Sequence, residues 1–170
     1  AYGLLAVVRL RQGKAGAARQ DAGAAARLIA KFRAPTAHYL LEGYAGVAEV
    51  YLSLWESGQD SSDTRRAARR ACRALRRFAR VFPIGQPRAR LWQGLLAQLS
   101  GRPGRAQAAW RASLAAAQRL GMPFEAALAH SELGRHLAGT PQGRWHLEQA
   151  QTLLHELGIA DVAGWGRCAG

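Results

Sequence analysis

The sequence predicts an all-α protein made of four helical hairpins, and three observations support this fold class. Apolar residues recur at helical spacing, and no stretch alternates apolar and polar residues as a half-buried strand would. Short breaks rich in glycine and proline divide the chain into eight segments of about 11 to 20 residues, an ordinary helix length. The last two hairpins also repeat each other, since Leu120-Gly121 and Leu157-Gly158 lie 37 residues apart.

The first two hairpins are predicted at residues 1–33 and 36–82. In the first, the break RQGKAG separates two alanine-rich helical segments. In the second, APTAHYLLEGYAGVAEVYLSLW is apolar enough to predict a buried helix, and the break ESGQDSSD follows it. Ser62 or Asp63 is expected to cap the next helix, residues 64–82, because a short polar side chain can accept a hydrogen bond from the first helical turn.

The third and fourth hairpins are predicted at residues 87–120 and 123–158, and a glycine-rich tail, residues 164–170, is predicted to be flexible. Glycine just after a helix tolerates the left-handed backbone, and proline fits the next first turn because its missing N–H is not needed there. The breaks GMP and GTP contain both signals, and Thr140 is expected to cap the last helix. The folded domain is therefore predicted to span residues 1–163.

The second helices of three hairpins contain a small, large, small series at spacings of four and three residues. Small residues let two helices approach closely, and a large residue between them fills the space between hairpins. The series is Ala106, Trp110 and Ser113 in the third hairpin, Gly143, Leu147 and Ala150 in the fourth, and a weaker Ala18, Ala22 and Ala25 in the first.

The period, the hairpin unit and this series resemble the tetratricopeptide repeat, over nearly the whole chain. More specifically, SGRPGRAQAAWRASLAAAQRLGMPFEAALAHSELGRHL followed by HLEQAQTLLHELG is similar to the C-terminal helical repeats of large bacterial signalling ATPases. In that family the repeats follow an ATPase module, often with a class III nucleotide-cyclase, kinase or transcription-regulator domain. The resemblance implies an α-solenoid, a right-handed superhelix with a concave groove. It also implies a non-catalytic scaffold for regulatory protein–protein interaction.

The chain has a formal net charge of +13 and an isoelectric point near 11.4, and two explanations of this basicity compete. A strongly basic domain is typical of nucleic-acid-binding proteins. However, only Lys14 and Lys31 among the 24 basic residues are lysines. Such an arginine bias, together with many alanines and glycines, is also what a GC-rich genome produces. The net charge therefore does not decide the function.

The helix predicted at residues 64–82, TRRAARRACRALRRFARVF, holds eight of the 24 basic residues and no acidic one. At 100° per residue its arginines fall within an arc of about 140°. Three interpretations stay open: a solvated outer face, a docking surface for an acidic protein segment or another domain of a parent chain, and a surface for nucleic acid or anionic lipid. The candidate partner-binding residues are Arg66, Arg69, Arg70, Arg73, Arg76 and Arg77.

No group of residues in the sequence predicts catalysis, a metal site or a cofactor. The stretch GKAGAAR lacks the order of a phosphate-binding loop, and there is no G-x-S-x-G nucleophile motif. Cys72 lies among arginines that could lower its thiol pKa, but burial would oppose this, so a structural role is preferred. His130, His136 and His146 are predicted at surface or cap positions, because their spacing does not converge on one metal ion.

Tyr44, Tyr51 and Trp55 lie at helical spacing on the predicted buried helix. Core packing between hairpins is the preferred interpretation of this spacing. An aromatic face that binds a ligand is the alternative.

Two cysteines are too few for a disulfide framework, so a reducing compartment and a cytoplasmic location are expected. No run approaches the 18 apolar residues of a membrane span, and no signal peptide is visible. The chain opens on Ala1 with a helical pattern and no capping residue, which predicts an excerpt of a larger protein. Its N-terminal edge, which an upstream repeat would cover, is a candidate for self-association.

Overall fold

The computed structural model describes residues 1–32, 34–59 and 61–159, and every regular element in these ranges is helical, which confirms the all-α prediction. Two short 3-10 turns, His38–Leu40 and Pro83–Gly85, precede the third and fifth α-helices. The predicted tail, residues 164–170, lies outside the described residues. The helices are α1 Tyr2–Arg11, α2 Ala15–Lys31, α3 Leu41–Glu56, α4 Ser62–Val81, α5 Gln86–Leu99, α6 Pro103–Arg119, α7 Pro123–His136 and α8 Pro141–Glu156.

The helices belong to two compact units that divide after Gly85. The first unit contains the hairpins α1–α2 and α3–α4, and the second contains α5–α6 and α7–α8. In each unit the two helices of a hairpin pack against each other along their length. No helix in the described ranges is both long enough and apolar enough to cross a membrane.

In the first unit, α1 packs directly on α3 through glycines. A Cβ atom added at Gly3 would collide with the backbone of Gly43, and one added at Gly46 would collide with the backbone of Gly3. Because neither position has a side chain, the two helix backbones touch. Twelve of the sixteen residues of α3 are buried, which confirms the predicted buried helix from Leu41 onward. Residues 34–40, the start of the predicted stretch, lie outside α3, and none of them is buried.

The N-cap of α4 is Ser61, which lies one residue before the first predicted cap. Ser61 has an extended backbone, and its hydroxyl oxygen accepts a hydrogen bond from the Thr64 N–H at 3.1 Å. Ser62 and Asp63, the predicted caps, are already within the first helical turn, so their backbone conformation cannot serve as a cap. The apolar side of α4 enters the core, where the Phe78 ring packs 5.0 Å from the Tyr44 ring.

In the second unit, glycine and proline signals end and begin helices as predicted. Gly121 and Gly139 have φ values of +62° and +82°, and each precedes a helix whose first residue is proline. The Thr140 hydroxyl accepts a hydrogen bond from the Gly143 N–H at 3.0 Å, which confirms the predicted cap of α8.

The small, large, small series differs between the hairpins of the second unit. Trp110 is 1% exposed, and its ring fills the space over Gly94. Its indole N–H donates a hydrogen bond to the Leu91 carbonyl oxygen at 3.2 Å, and the His136 ring lies 5.3 Å from the indole ring. Leu147 packs over Gly134 in the same way, yet it is 43% exposed. No further hairpin among the described residues covers α8 as α7 covers α6.

Candidate functional site

The first unit contains a groove of about 750 Å³ whose walls are α2 and α4 and whose floor is α3. The α2 wall consists mainly of small and apolar residues and one arginine, Arg27. The floor consists of Tyr44, Val47 and Tyr51, all buried on α3. The groove forms because α1, α2 and α4 all pack on α3.

The α4 wall carries a row of arginines, defined here as Arg66, Arg70, Arg73, Arg77 and Arg80. Their spacing of four, three, four and three residues keeps them on one face of the helix. With a rise of 1.5 Å per residue, the row is about 21 Å long.

The candidate arginines of the sequence analysis divide into two groups. Five of them, Arg66, Arg70, Arg73, Arg76 and Arg77, line the groove. Arg69 does not line it: its guanidinium lies over the Trp55 ring at 5.9 Å, next to that of Arg65 at 5.5 Å. On this side of α4, cation–π contacts with a buried indole therefore explain where the arginine side chains lie.

Two groove arginines were not among the candidates. Arg80 continues the spacing of the row, so the sequence contained the signal that could have included it. Arg27 comes from α2, and no local pattern connects it with α4. Only the packing of two hairpins on one another brings it to the groove.

The groove has a strong excess of positive charge. Asp63 is the only acidic residue among the described residues that line the groove. It lies 3.4 Å from Arg66 in an exposed pair of the kind that contributes little. No carboxylate in the described ranges lies at ion-pair distance from Arg70, Arg73 or Arg77. Like charges three and four residues apart on a helix repel, so a negatively charged ligand would relieve this repulsion.

The tyrosines of the floor are neutral core residues that border the groove. Burial raises the pKa of Tyr44, and the nearby Arg77 opposes this rise. Burial also raises the pKa of Tyr51, against the opposing charges of Arg19 and Arg27. Both side chains are more than nine-tenths buried, as the predicted core packing requires.

Cys72 lies on the opposite side of α4 from the groove and is buried. Burial raises the pKa of its thiol to about 12, and the charge of Arg73 opposes this rise. The thiol is therefore protonated at neutral pH, and Cys72 packs as a small structural residue, as predicted.

The prediction that His130 and His146 lie at the surface or at helix caps is wrong. They are 4% and 5% exposed, and their Nδ1 atoms are 2.9 Å apart across the α7–α8 hairpin. Burial, and then His146, lower the pKa of His130 to about 4. Burial, and then Arg111, lower the pKa of His146. Spacing within one helix could not reveal this contact, because it depends on how two helices face each other.

The groove can bind anions, since guanidinium groups pair with carboxylates or phosphates and remain charged at any physiological pH. The described residues of its lining include no histidine or cysteine, and their single carboxylate, Asp63, lies at one end of the row. Among the described residues no group of three or more histidines, cysteines or carboxylates could hold a metal ion. Comparisons of the chain with protein-family models, with curated proteins and with solved structures find no match.

Proposed function

We propose that this chain is a non-catalytic interaction module that binds an acidic protein segment in the groove between α2 and α4. The convergence of the arginine row with Arg27 around an apolar floor is the observation that carries this proposal. Each guanidinium can pair bidentately with a carboxylate. The alanines of both walls and the edges of the floor residues can contact apolar side chains, which a purely electrostatic surface would not do.

Nucleic acid is the alternative ligand, and the aromatic residues of the first unit argue against a single strand that stacks its bases in the groove. Single-stranded nucleic acid binds through bases stacked on accessible aromatic rings. Tyr44 and Tyr51 are too deeply buried to offer a ring face, and arginines occupy the Trp55 ring. Phosphate contacts would remain, and they would give binding with a steep salt dependence.

The wider context of the module is also a proposal. The two hairpins of the second unit repeat one contact, a glycine of the first helix under a large residue of the second, at Gly94–Trp110 and Gly134–Leu147. This quasi-equivalence supports a tetratricopeptide-like solenoid. With the resemblance to signalling ATPases, it supports placement in a larger cytoplasmic bacterial protein with an ATPase, cyclase or transcription-regulator domain. Leu4 and Val8, half-exposed on α1, support self-association at the N-terminal edge.

The proposal is tested by measuring the affinity of a fluorescent glutamate- and leucine-rich peptide at physiological salt. The Arg70→Glu/Arg77→Glu variant is expected to weaken binding at least about tenfold, because two attractive pairs become repulsive. The control is Arg105→Glu/Arg144→Glu, which makes the same charge change at exposed positions of the second unit and is expected to change affinity less than about twofold.

A short random DNA duplex is titrated in parallel across a salt series. If DNA binds more tightly than about 1 μM at physiological salt and the groove variant abolishes this, nucleic acid replaces the acidic segment as the ligand. If the control variant weakens peptide binding as much as the groove variant does, the groove is not the binding site.

A further inference from the structure

We infer that the segment bound in this groove is an amphipathic α-helix that lies alongside α4, with carboxylates facing the arginine row and apolar side chains facing α3. This inference rests on the proposed function and specifies the conformation of the partner. Three features of the groove support it: the length and spacing of the row, the shortage of acceptors for the N–H groups of an extended backbone, and the small residues on both walls.

The spacing of the row matches a helix better than an extended chain. Arg66 and Arg80 are fourteen positions apart, which corresponds to about 21 Å along α4. A partner helix with carboxylates at the same four, three, four, three spacing advances by the same distance. An extended peptide places same-face side chains about 6.6 Å apart, so five of them span about 26 Å. It would therefore lose register with the row by about 5 Å, or about one and a half residues of an extended chain.

The groove also offers few acceptors for the N–H groups of an extended backbone, whereas its arginines can donate to backbone carbonyl oxygens. Its walls and floor are mostly interior turns of three α-helices, where the backbone N–H and C=O groups are paired within each helix. Among the described lining side chains only Tyr44, Tyr51 and Asp63 carry hydrogen-bond acceptors. Peptides that bind in extended form usually add a strand to a sheet edge, and the described residues contain no strand. A helix satisfies its own backbone groups and needs no such partners.

Small residues on both walls leave room for a helix to approach. Ala26 and Ala30 line the α2 wall, and Ala67, Ala71 and Ala74 line the α4 wall between the arginines. Alanine at such positions brings helix axes closer together, so apolar side chains of the partner can reach the floor.

Two peptides of identical composition test the inference, each of about 16 residues containing glutamate, leucine, alanine and glutamine. One places glutamates at the four, three, four, three spacing, with leucines on the adjacent face, and the other alternates glutamate and leucine. The helical pattern is expected to bind at least about tenfold more tightly and to gain helical circular dichroism on binding. A third peptide, with proline at the centre of the helical pattern, is expected to lose at least tenfold in affinity.

A protein variant tests whether the partner occupies the space between the walls. Ala30 is an exposed residue of the α2 wall, so Ala30→Trp is expected to fold and to weaken binding of the helical peptide at least about tenfold. The control is Lys31→Trp, an adjacent exposed position that does not line the groove, and its affinity is expected to stay within about twofold of the unmodified chain.

The outcomes separate this inference from the proposed function. If the alternating peptide binds as tightly as the helical one and Arg70→Glu/Arg77→Glu weakens both, the groove binds extended acidic segments. The helical inference is then wrong and the proposed function stands. If neither peptide binds, both fail. If Ala30→Trp and Lys31→Trp leave binding equally intact, the helix does not lie between α2 and α4.

Discussion

The two units of this protein use glycine for opposite purposes. In the first unit the glycines lie between hairpins, where Gly3 and Gly46 bring the backbones of α1 and α3 together. In the second unit they lie within hairpins, where Gly94 and Gly134 make room for a large side chain of the following helix. Close contact between the first helices of two hairpins leaves the second helices, α2 and α4, apart around a groove. The placement of glycine thus determines where an open surface forms.

The units also differ in how the charge of their arginines is compensated. In the second unit, Arg88 is buried and lies 3.4 Å from the buried Glu125, so its charge is compensated inside the fold. In the first unit the arginine row faces the groove, and Asp63 is the only acidic residue among the lining residues that the structure describes. A buried arginine must have a partner from its own chain, whereas a solvated row can take its partner from another molecule.

The largest expected effect comes from breaking the contact between α1 and α3. Gly46→Ala should reduce the free energy of unfolding of the first unit by about 3 kcal/mol, because the added methyl group meets the Gly3 backbone, which cannot rotate away. The control is Gly43→Ala on the same helix, where a Cβ meets nothing within 4 Å, and it should be neutral or slightly stabilising. Urea unfolding measures both. Equal losses in the two variants would contradict the close backbone contact.

Acid should destabilise the second unit through the buried histidine pair. The folded-state pKa of His130, about 4, lies below its unfolded value of about 6.5. Between pH 4 and 6.5 the unfolded chain therefore binds more protons than the folded chain. The contribution of this histidine to the free energy of unfolding is fully present above pH 6.5, and roughly 2–3 kcal/mol of it is lost as the pH drops towards 4. The raised pKa of the buried Glu132 acts in the opposite direction.

A double variant separates the contribution of the two histidines to the pH dependence of stability from that of other groups. His130→Leu/His146→Leu removes both imidazoles and leaves Glu132 in place. Urea unfolding between pH 7.5 and 4.5, followed by tryptophan emission, should show a pH-dependent loss in the unmodified chain that is absent in the variant. An unchanged pH dependence would mean that another group controls the acid response.

The smallest expected effect is a gain in stability on α4. Arg73 has arginines at both i±3 and i±4, so Arg73→Glu converts four repulsive pairs into attractive ones. We expect the first unit to become more stable by about 0.5–1 kcal/mol at low salt, and the gain to shrink at high salt. Arg105→Glu serves as the control. A loss of stability in Arg73→Glu would mean that the arginine row supports the fold.

Much of the fold could be predicted from the sequence because its signals are local. Thr140 and the glycine–proline breaks act within a few residues of their own position, and so they placed the helix ends correctly. The cap at Ser61 was missed by one residue because three polar residues in succession offer equivalent caps. The spacing of arginines on α4 predicted that they share one face of that helix, but not that part of this face borders a groove.

What the sequence could not predict depends on contacts between helices. Arg27 reaches the groove, and Arg69 turns away from it, only because α2 and α3 have particular positions around α4. The contact between His130 and His146 likewise depends on which sides of α7 and α8 pack against each other. Periodicity within one helix carries no information about any of these arrangements.

Trp55, which lies under two arginines of α4, is an internal fluorescence probe of the first unit. Trp55 is the only tryptophan between Ala1 and Gly85, and its ring lies on the side of α4 away from the row. Lifting α4 from α3 would expose the indole to water and shift its emission to longer wavelength. A ligand that enters the groove without moving α4 would leave that emission unchanged. One fluorescence signal can therefore distinguish occupation of the groove from displacement of its wall.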